Sequence, residues 1–275
     1  MGRAEDLAGL EWVHATYVSH VFPRHTHESF AIGLVEAGVQ ATDYRGAKHY
    51  ATAGDICLVN PGEAHTGYAP DETGWTYRCS YPAEAILQKA AAEVAGREAG
   101  PPHFPSPVIR DPSLACLLRD FFASLEPRRN ALEQESRLLS ALTQMIVRHS
   151  EQRPGCHRTG RERHAVGRVR DYIHENYADN ISLTELAAAA NLSRFHLIRV
   201  FQKEMNLTPH AYLTQVRVRM AKELLARKIP AARVAAAVGF SDQSHLTRRF
   251  KGIMGLPPGQ YAQMSNFVQD EPLLI

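Results

Sequence analysis

The last third of the chain contains an internal repeat with a period of about 48 residues, which constrains the fold more than any other feature. Each copy has an alanine-rich helical segment, a short turn and a second helical segment, and closes on a proline and a tyrosine. The equivalent positions are Leu186 and Val234, Ala187 and Ala235, Leu197 and Leu246, Phe201 and Phe250, Met205 and Met254, Leu207 and Leu256, Pro209 and Pro258, and Tyr212 and Tyr261. The repeat predicts an all-α domain with two helix-turn-helix units.

Capping residues indicate where these helices begin. Ser182 precedes Glu185 by three residues, which is the spacing of a capping box. Ser193 in the first unit and Ser241 in the second stand before the following helix, where a serine side chain can accept a backbone N–H. We therefore expect each unit to consist of two helices with defined starts.

A longer helix is expected between the two units, over about residues 209–228. Asn191 and Gly239 stand in the turns inside the units, where the backbone can need positive φ. At 1.5 Å per residue the connecting helix spans on the order of 30 Å. That length is close to one turn of duplex, so two recognition helices could enter successive major grooves on one face of DNA.

The second helix of each unit is expected to carry polar residues on its outer face. The first unit presents Arg194, His196, Ile198, Arg199 and Lys203, and the second presents Gln243, Ser244, Thr247, Arg248 and Lys251. Arginine pairs with guanine, glutamine with adenine, and serine or threonine with either. Residues 161–264 hold 16 Lys and Arg against 8 Asp and Glu, whereas residues 1–110 hold 8 against 13. The pattern predicts a double-stranded DNA partner; the alternative is a helical protein-interaction domain without DNA affinity.

These motifs resemble the AraC/XylS family of transcription regulators. The resemblance covers residues 164 to about 264 and is most specific in residues 235–251 (AAAVGFSDQSHLTRRFK) and 255–261 (GLPPGQY). It implies a DNA-binding regulator, more often an activator than a repressor, with RNA polymerase as a partner. The base-contacting positions that it implies are Arg194, Phe195, Ile198, Arg199, Gln243, Ser244, Thr247 and Arg248. Ile198 departs from the polar residue of many relatives and could contact only a thymine methyl group or no base.

Residues 12 to about 81 read as short strands separated by turns. Apolar runs at residues 30–35 and 56–59 are bounded by turn residues, including Gly38, Gly54 and Gly62. Many short strands at close spacing predict a small barrel or sandwich. Helical patterns follow at residues 82–96, 113–125 and 131–149. The apolar stripe of the last helix either packs on the barrel or forms a homodimer interface.

Three histidines mark a candidate site in this first region. His25 and His27 adjoin a strand, in which positions i and i+2 share a face, and His65 follows another strand. Three imidazoles could ligate a divalent metal. They could instead line an effector pocket, or be hydrogen-bonded barrel residues without a ligand. The predicted effector-binding residues are Arg24, His25, His27, His65, Trp75 and Tyr77.

Residues 12 to about 80 resemble the cupin-type sensing domain that precedes the same DNA-binding region. A catalytic cupin carries a glutamate three or four residues after its paired histidines, but here those positions are Ala31 and Ile32. Glu28 or Glu63 could substitute. The missing glutamate speaks against a metal-dependent oxygenase or isomerase. We therefore predict a sensor rather than an enzyme, with no required cofactor and with a divalent metal at the three histidines as the alternative.

The expected fold class is multi-domain α+β. Residues 1–150 would form a cupin-like β-barrel with following helices, for effector binding and dimerisation; residues 151–163 would be a linker; and residues 164–275 would form the double helix-turn-helix domain. No run of about 18 apolar residues suggests a membrane span, and the charged first residues argue against a secretory signal, so we expect a cytoplasmic protein. The four cysteines, Cys57, Cys79, Cys116 and Cys156, form no CxxC pair and are expected to be reduced thiols.

Overall fold

Short apolar runs bounded by turn residues in the first part of the chain form strands that pair into one sheet. A computed structural model describes residues 2–4, 7, 9–125, 130–151 and 163–264. Within these residues the strands are β1 (Gly2–Ala4), β2 (Leu10–Tyr17), β3 (Phe22–His25), β4 (Ala31–Tyr44), β5 (Ala47–Thr52), β6 (Ile56–Val59), β7 (His65–Gly67), β8 (Trp75–Tyr81) and β9 (Val108–Ile109).

The long strand β4 is the one on which the sheet assembles. Its first half pairs with β6 and β8, and its second half pairs with β5. The short strand β7 pairs with the end of β4 and with β3. All of these pairings are antiparallel. The side chains buried inside this arrangement include Ala31, Tyr44, Val59, Trp75, Tyr77 and Cys79. The expectation of a sheet-rich, cupin-like first domain is confirmed.

Three helices follow the strands close to their predicted positions. They are α1 (Glu84–Ala95), α2 (Pro112–Ser124) and α3 (Ala131–His149). The apolar stripe of α3 is buried, with Leu142, Met145 and Ile146 each at most 1% exposed, and α3 packs against α1 and α2. The stripe is therefore buried within the chain, mainly against these two helices rather than on the barrel as expected, and homodimerisation stays a prediction. Strand β9 was not predicted, because it lies in a proline-rich stretch that reads as a loop.

Asp111 joins the start of α2 to the end of α3. Its carboxylate accepts the backbone N–H of Leu114 (3.1 Å) as the N-cap of α2, and it also accepts hydrogen bonds from Arg148 (2.9 Å) and His149 (2.9 Å). Burial acts to raise the pKa of Asp111, but these hydrogen bonds outweigh it and lower the pKa to about 2. The charged carboxylate therefore holds the helical layer together.

The rest of the described chain is helical. The helices are α4 (Arg163–Asn176), α5 (Leu183–Ala190), α6 (Arg194–Met205), α7 (Pro209–Ala226), α8 (Ala231–Ala237), α9 (Gln243–Met254) and α10 (Pro258–Met264). The pairs α5–α6 and α8–α9 are the two predicted helix-turn-helix units, and α7 is the predicted connecting helix. The overall α+β class is confirmed.

The helix starts agree with the sequence patterns except at one position. Ser182 and Glu185 form a complete capping box, and Ser193 caps α6 by accepting the N–H of His196. The prediction that Ser241 caps the second recognition helix is wrong. Asp242 is the cap of α9, because its carboxylate accepts the N–H of His245 at 2.7 Å. A negatively charged carboxylate at the start of a helix is also stabilised by the positive end of the helix dipole.

The chain divides into two compact units, Met1–Gly160 and Arg161–Ile275. Most of the predicted linker, residues 152–162, lies outside the described residues, as does Cys156. Cys57, Cys79 and Cys116 are free thiols. In the part of the chain that the structure describes, no helix combines the length and the apolar character needed to cross a membrane.

Candidate ligand pocket and nucleic-acid interface

The first compact unit, Met1–Gly160, contains a cavity of about 90 Å³ between strands β3, β4, β6, β7 and β8. This volume has room for several water molecules or for one small ligand. Its wall combines imidazole, amide, hydroxyl and thiol groups with apolar side chains. The lining residues are Phe22, His25, His27, Ala31, Gly33, Gln40, Thr42, Cys57, Val59, His65, Thr66, Gly67, Tyr77, Cys79, Tyr81 and Pro107.

The three predicted histidines come together on one side of this cavity. The ring centres of His25 and His65 are 4.4 Å apart, those of His25 and His27 are 4.8 Å apart, and those of His27 and His65 are 5.0 Å apart. One ring nitrogen of each residue lies within 4.8 Å of those of the other two. Strand pairing brings this about, because His25 is directly opposite His65 in the β3–β7 ladder.

Backbone carbonyls fix the protonation pattern of two of these rings. Nδ1 of His25 lies 2.7 Å from the carbonyl oxygen of Pro23, and Nδ1 of His65 lies 3.1 Å from that of Glu63. A carbonyl oxygen can only accept a hydrogen bond, so each Nδ1 carries a proton, and in the neutral ring the lone pair is on Nε2. In its neutral form, each of these two histidines therefore offers Nε2 to a ligand.

Burial favours the neutral form of two histidines of the cluster, His65 and His27. Loss of water lowers the pKa of His65 to about 4; the hydrogen bond to the Glu63 carbonyl opposes this, and the charges of His25 and His27 add to it. Burial also lowers the pKa of His27, with a further contribution from His25. Burial raises the pKa of Tyr77 and Tyr81, so both phenols stay protonated and can donate. The cavity therefore offers neutral nitrogen acceptors beside hydroxyl donors.

The donor set fits a divalent transition metal. Neutral imidazoles are ligands that Zn²⁺, Cu²⁺, Ni²⁺ and Fe²⁺ accept, and a ring N–H held by a carbonyl is the usual outer support of such a ligand. The suggestion that Glu28 or Glu63 supplies a fourth ligand is wrong for the described residues. Glu28 is exposed and outside the cluster, and the carboxylate of Glu63 binds Arg45 and Asn60.

The second recognition helix, α9, presents a polar face to solvent. Its buried residues are His245, Leu246 and Phe250, which anchor the helix to the core of the unit. The outer face consists of Gln243, Ser244, Thr247, Arg248 and Lys251, of which Thr247 is partly buried and the others are exposed. These are side chains that hydrogen-bond base edges and phosphates. The predicted outer face of this helix is confirmed.

The first recognition helix, α6, exposes a narrower surface than predicted. Ile198 is 0% exposed and Phe195 is 4% exposed. The expectation that Ile198 lies on the outer face is therefore wrong, and neither side chain is available to a base edge. The physical reason is that both are large apolar side chains, whose removal from water stabilises the fold. The residues of α6 that do reach the surface include Arg194, His196, Arg199 and Lys203.

The chain was compared with known protein families. It matches the model of the AraC-like ligand binding domain over residues 7–142 and that of a helix-turn-helix domain over residues 186–264. YbfI, an uncharacterised HTH-type transcriptional regulator of Bacillus subtilis (strain 168), is 30% identical over 225 residues, which cover 82% of this chain and 81% of YbfI. The chain belongs to the AraC family of transcriptional regulators.

Two further similarities concern this AraC-family regulator. The MmsAB operon regulatory protein of Pseudomonas aeruginosa is 28% identical over 218 residues, which cover 77% of this chain and 66% of that protein. Among solved structures, the C-terminal domain of AraT, a response regulator from Geobacillus stearothermophilus, is 30% identical with a TM-score of 0.36 and covers 38% of this chain and 88% of that one. By its family, the chain is a transcriptional regulator with a ligand-binding domain and a helix-turn-helix DNA-binding domain, a class of regulators rather than enzymes.

The cavity of this AraC-family regulator differs from the pocket that the sequence predicted. Tyr77 and the three histidines line it, but Arg24 and Trp75 do not. Arg24 is exposed in β3, where its long charged side chain stays in water, and Trp75 is 1% exposed and packs beside Tyr17 at 5.1 Å between ring centres. Sequence reasoning missed several lining residues, among them Gln40, Thr42, Cys57 and Tyr81. The i, i+2 rule could have found them, because Gln40 and Thr42, Cys57 and Val59, and Tyr77, Cys79 and Tyr81 each line the cavity at that spacing.

Proposed function

We propose that this regulator is a transcription activator whose binding to operator DNA is controlled by a small molecule held in the cavity of its first unit. The observation that carries the proposal is the cavity itself. It gathers three histidines, two of which hold a proton on Nδ1, beside two protonated phenols. A small number of polar groups that converge on a partly apolar cavity favours a small polar effector, which they can orient by hydrogen bonds.

The proposed effector contacts follow the lining of the cavity. His25, His27, His65 and Tyr77 remain from the sequence prediction, and Gln40, Thr42 and Tyr81 join them. Effector binding can change DNA affinity only if the effector binds two arrangements of the protein with different affinity. The effector is therefore expected to shift the operator affinity rather than to be needed for folding.

The proposed DNA contacts combine both recognition helices. They are Arg194 and Arg199 on α6, and Gln243, Ser244, Thr247 and Arg248 on α9. The connecting helix α7 has 18 residues, which gives a length of about 27 Å at 1.5 Å per residue. This supports the entry of α6 and α9 into successive major grooves on one face of the duplex.

The remaining parts of the proposal concern organisation and partners. The domain boundaries are proposed at residues 1–150 for effector binding and dimerisation, 151–163 for the linker and 164–275 for DNA binding. RNA polymerase is the proposed partner in activation, and a homodimer would double the number of DNA sub-sites. The proposed location is the cytoplasm, where a bacterial-type regulator meets its operator.

The test is fluorescence anisotropy with the full chain and duplexes that tile the DNA upstream of its own gene and of neighbouring operons. The Pseudomonas relative is an operon regulatory protein, which supports this choice of DNA. Binding that is salt-dependent and about a thousandfold tighter than to scrambled DNA would support operator recognition. A candidate molecule that changes the operator affinity, and raises transcription of a reporter, would support effector control and activation.

Matched variants separate specific from general charge effects. Arg248→Ala removes a proposed base contact, and Arg119→Ala removes the same charge from an exposed position on α2. Operator affinity should fall for Arg248→Ala and stay near wild type for Arg119→Ala. An equal loss of operator affinity in both variants, or no loss in either, would count against the proposed contacts. Reporter repression by the bound protein would overturn the activator assignment while leaving DNA binding intact.

A divalent transition metal is a second candidate for the effector. It is favoured by the three ring nitrogens within 4.8 Å of one another and by the two carbonyl-held Nδ1 protons. When bound, a metal would supply Lewis acidity and open coordination positions facing the cavity. Calorimetric titration of metal-free protein with Zn²⁺ or Ni²⁺ tests it. One ion per chain together with altered operator affinity would support metal sensing, whereas no stoichiometric binding would exclude it.

A further inference from the structure

Arg217 lies on α7, between the two helix-turn-helix units, and is almost completely buried, with 4% of its surface exposed. Loss of water lowers the pKa of its guanidinium to about 10, against the opposing effect of Asp179. Charged side chains are rarely buried this deeply unless their hydrogen-bonding groups are satisfied. The partners of Arg217 therefore show which parts of the fold it joins.

The donors of Arg217 bind the turn that leads into α5, the first helix of the first helix-turn-helix unit. Nε donates to the carbonyl of Tyr177 at 2.7 Å, and Nη2 donates to the carbonyl of Asp179 at 2.8 Å. Both carbonyls belong to the turn between α4 and α5. A planar guanidinium presents its donors in a fixed fork, so two acceptors of one turn are held in a defined geometry. The turn cannot slide along α7 without breaking at least one of these hydrogen bonds.

The second unit approaches the same guanidinium from another direction. The guanidinium carbon of Arg217 lies 5.9 Å from the centre of the Phe240 ring, in the turn between α8 and α9. The neighbouring Gly239 has a φ of 82°, and a Cβ on it would lie 2.5 Å from the carbonyl oxygen of Ala178 and 2.9 Å from Nη2 of Arg217. No side chain fits there. The turn that leads into α5 and the turn inside the second helix-turn-helix unit therefore meet directly at Arg217.

Apolar packing continues this contact. Tyr177, from the α4–α5 turn, packs against the hydrophobic core of the second helix-turn-helix unit, which contains Phe240, Leu246 and Phe250. The two helix-turn-helix units are thus linked in two ways: through the shared helix α7, and through the contact of the turn that leads into α5 with the turn inside the second unit. Side chains that pack on a common core hold their elements at one relative position, because protein interiors are close-packed.

We propose that Arg217 is the positioning residue that fixes the recognition helices α6 and α9 relative to each other, so that the protein selects operators with one separation between two sub-sites. The inference rests on the proposed function, in which both helices enter DNA. Two linked binding modules gain affinity only when their geometry allows simultaneous contact. If the two recognition helices are fixed relative to each other, both can contact DNA only on operators whose sub-sites have the matching separation.

The experiment is a spacing series on the operator, read by fluorescence anisotropy with the full chain. One duplex carries the operator intact, and others carry extra base pairs between the two sub-sites. The wild-type protein is expected to lose about a hundredfold in affinity on insertion. Arg217→Met keeps much of the buried volume but removes both donors. This variant should bind the intact operator at least about tenfold more weakly than the wild type does. Inserted base pairs should then lower its affinity by less than about tenfold, because the two helix-turn-helix units can adjust their relative positions.

Two further variants make the result specific. Arg219→Met removes the same charge from an exposed position on the same helix and should keep the wild-type spacing profile. Arg217→Lys keeps a positive charge but loses the forked pair of donors, so its dependence of affinity on spacing should be as weak as that of Arg217→Met. If circular dichroism shows that Arg217→Met is unfolded, Arg217→Lys is used for the test instead. An equally steep profile in a folded Arg217 variant would overturn the proposal. A flat profile in wild type would overturn the two-helix DNA contact of the proposed function instead.

Discussion

Ile198 and Thr247 occupy equivalent positions in the two helix-turn-helix units, one residue after Leu197 and Leu246, yet Ile198 is fully buried and Thr247 is partly exposed. The two recognition helices therefore offer different surfaces despite the repeat. The face of α9 has five polar side chains, whereas α6 buries the apolar residues at two of the corresponding positions. We expect α9 to carry more of the base discrimination than α6.

Replacing Arg248 or Gln243 by alanine should weaken specific DNA binding by about 1–3 kcal/mol each, because each removes side-chain hydrogen bonds to a base edge. Binding to scrambled DNA should change much less. Anisotropy at fixed salt, on the operator and on single-base operator variants, measures both effects. If the assignment is right, each variant also loses discrimination at one base position; unchanged discrimination in both variants would refute it.

Ile198→Ala should lower the free energy of unfolding by about 2–5 kcal/mol, because it leaves a cavity where a fully buried side chain packed. Base preference at the operator should stay as in the wild type. Urea unfolding followed by circular dichroism, together with operator-variant binding, gives the two readouts. Lys203→Ala, at an exposed position of the same helix, serves as control and should change stability by less than about 0.5 kcal/mol. A stable Ile198→Ala protein with altered base preference would contradict the burial assignment.

His65→Ala should abolish stoichiometric binding of Zn²⁺ or Ni²⁺ if the cavity binds metal, because two imidazoles remain of three ligands. His49→Ala changes a half-buried histidine outside the cavity and should bind metal as the wild type does. Calorimetry and metal analysis of the dialysed proteins give the stoichiometry. Equal binding by the two variants would show that any bound metal lies elsewhere.

Acid should destabilise the first compact unit, Met1–Gly160, because it protonates the carboxylate of Asp111. The pKa of this carboxyl is about 2 in the folded chain, against an ordinary value of 3.8. A lowered pKa means that the unfolded chain binds the proton more readily between these values. The stabilisation is therefore fully present above about pH 4 and is lost as the pH falls towards 2.

Asp111→Ala tests this dependence. It should cost at least the roughly 0.5–2 kcal/mol of a lost N-cap and should flatten the fall in stability between about pH 4 and pH 2. Denaturant unfolding across that pH range is the measurement. Asp120→Ala, an exposed carboxylate further along α2, should keep the wild-type slope. A slope that is the same in Asp111→Ala and in wild type would place the acid sensitivity in other groups.

Features that depend only on neighbours along the chain could be predicted from residue type and spacing. Two such features are the capping box of Ser182 and Glu185 and the cap at Ser193, whose hydrogen-bond partners are three residues away. A third is the positive φ of Asn191 and Gly239 in the turns inside the two units. The repeat placed both helix-turn-helix units because periodic apolar residues report which face of a helix is buried. The spacing of His25 and His27 suggested that these two rings share a site, but β3 ends at His25, and it is the pairing of β3 with β7 that brings His65 opposite His25.

Which side chains are removed from water, and which of them meet across distant segments, depends on how the elements pack together in the folded chain. The burial of Ile198, the exposure of Arg24 and the position of Trp75 behind the cavity wall all depend on packing that sequence spacing does not encode. Arg217 is the clearest case, because its partners at Tyr177 and Asp179 are 40 and 38 residues away along the chain. Burial and long-range hydrogen bonds are properties of the folded surroundings, so residue type and spacing alone could not reveal them.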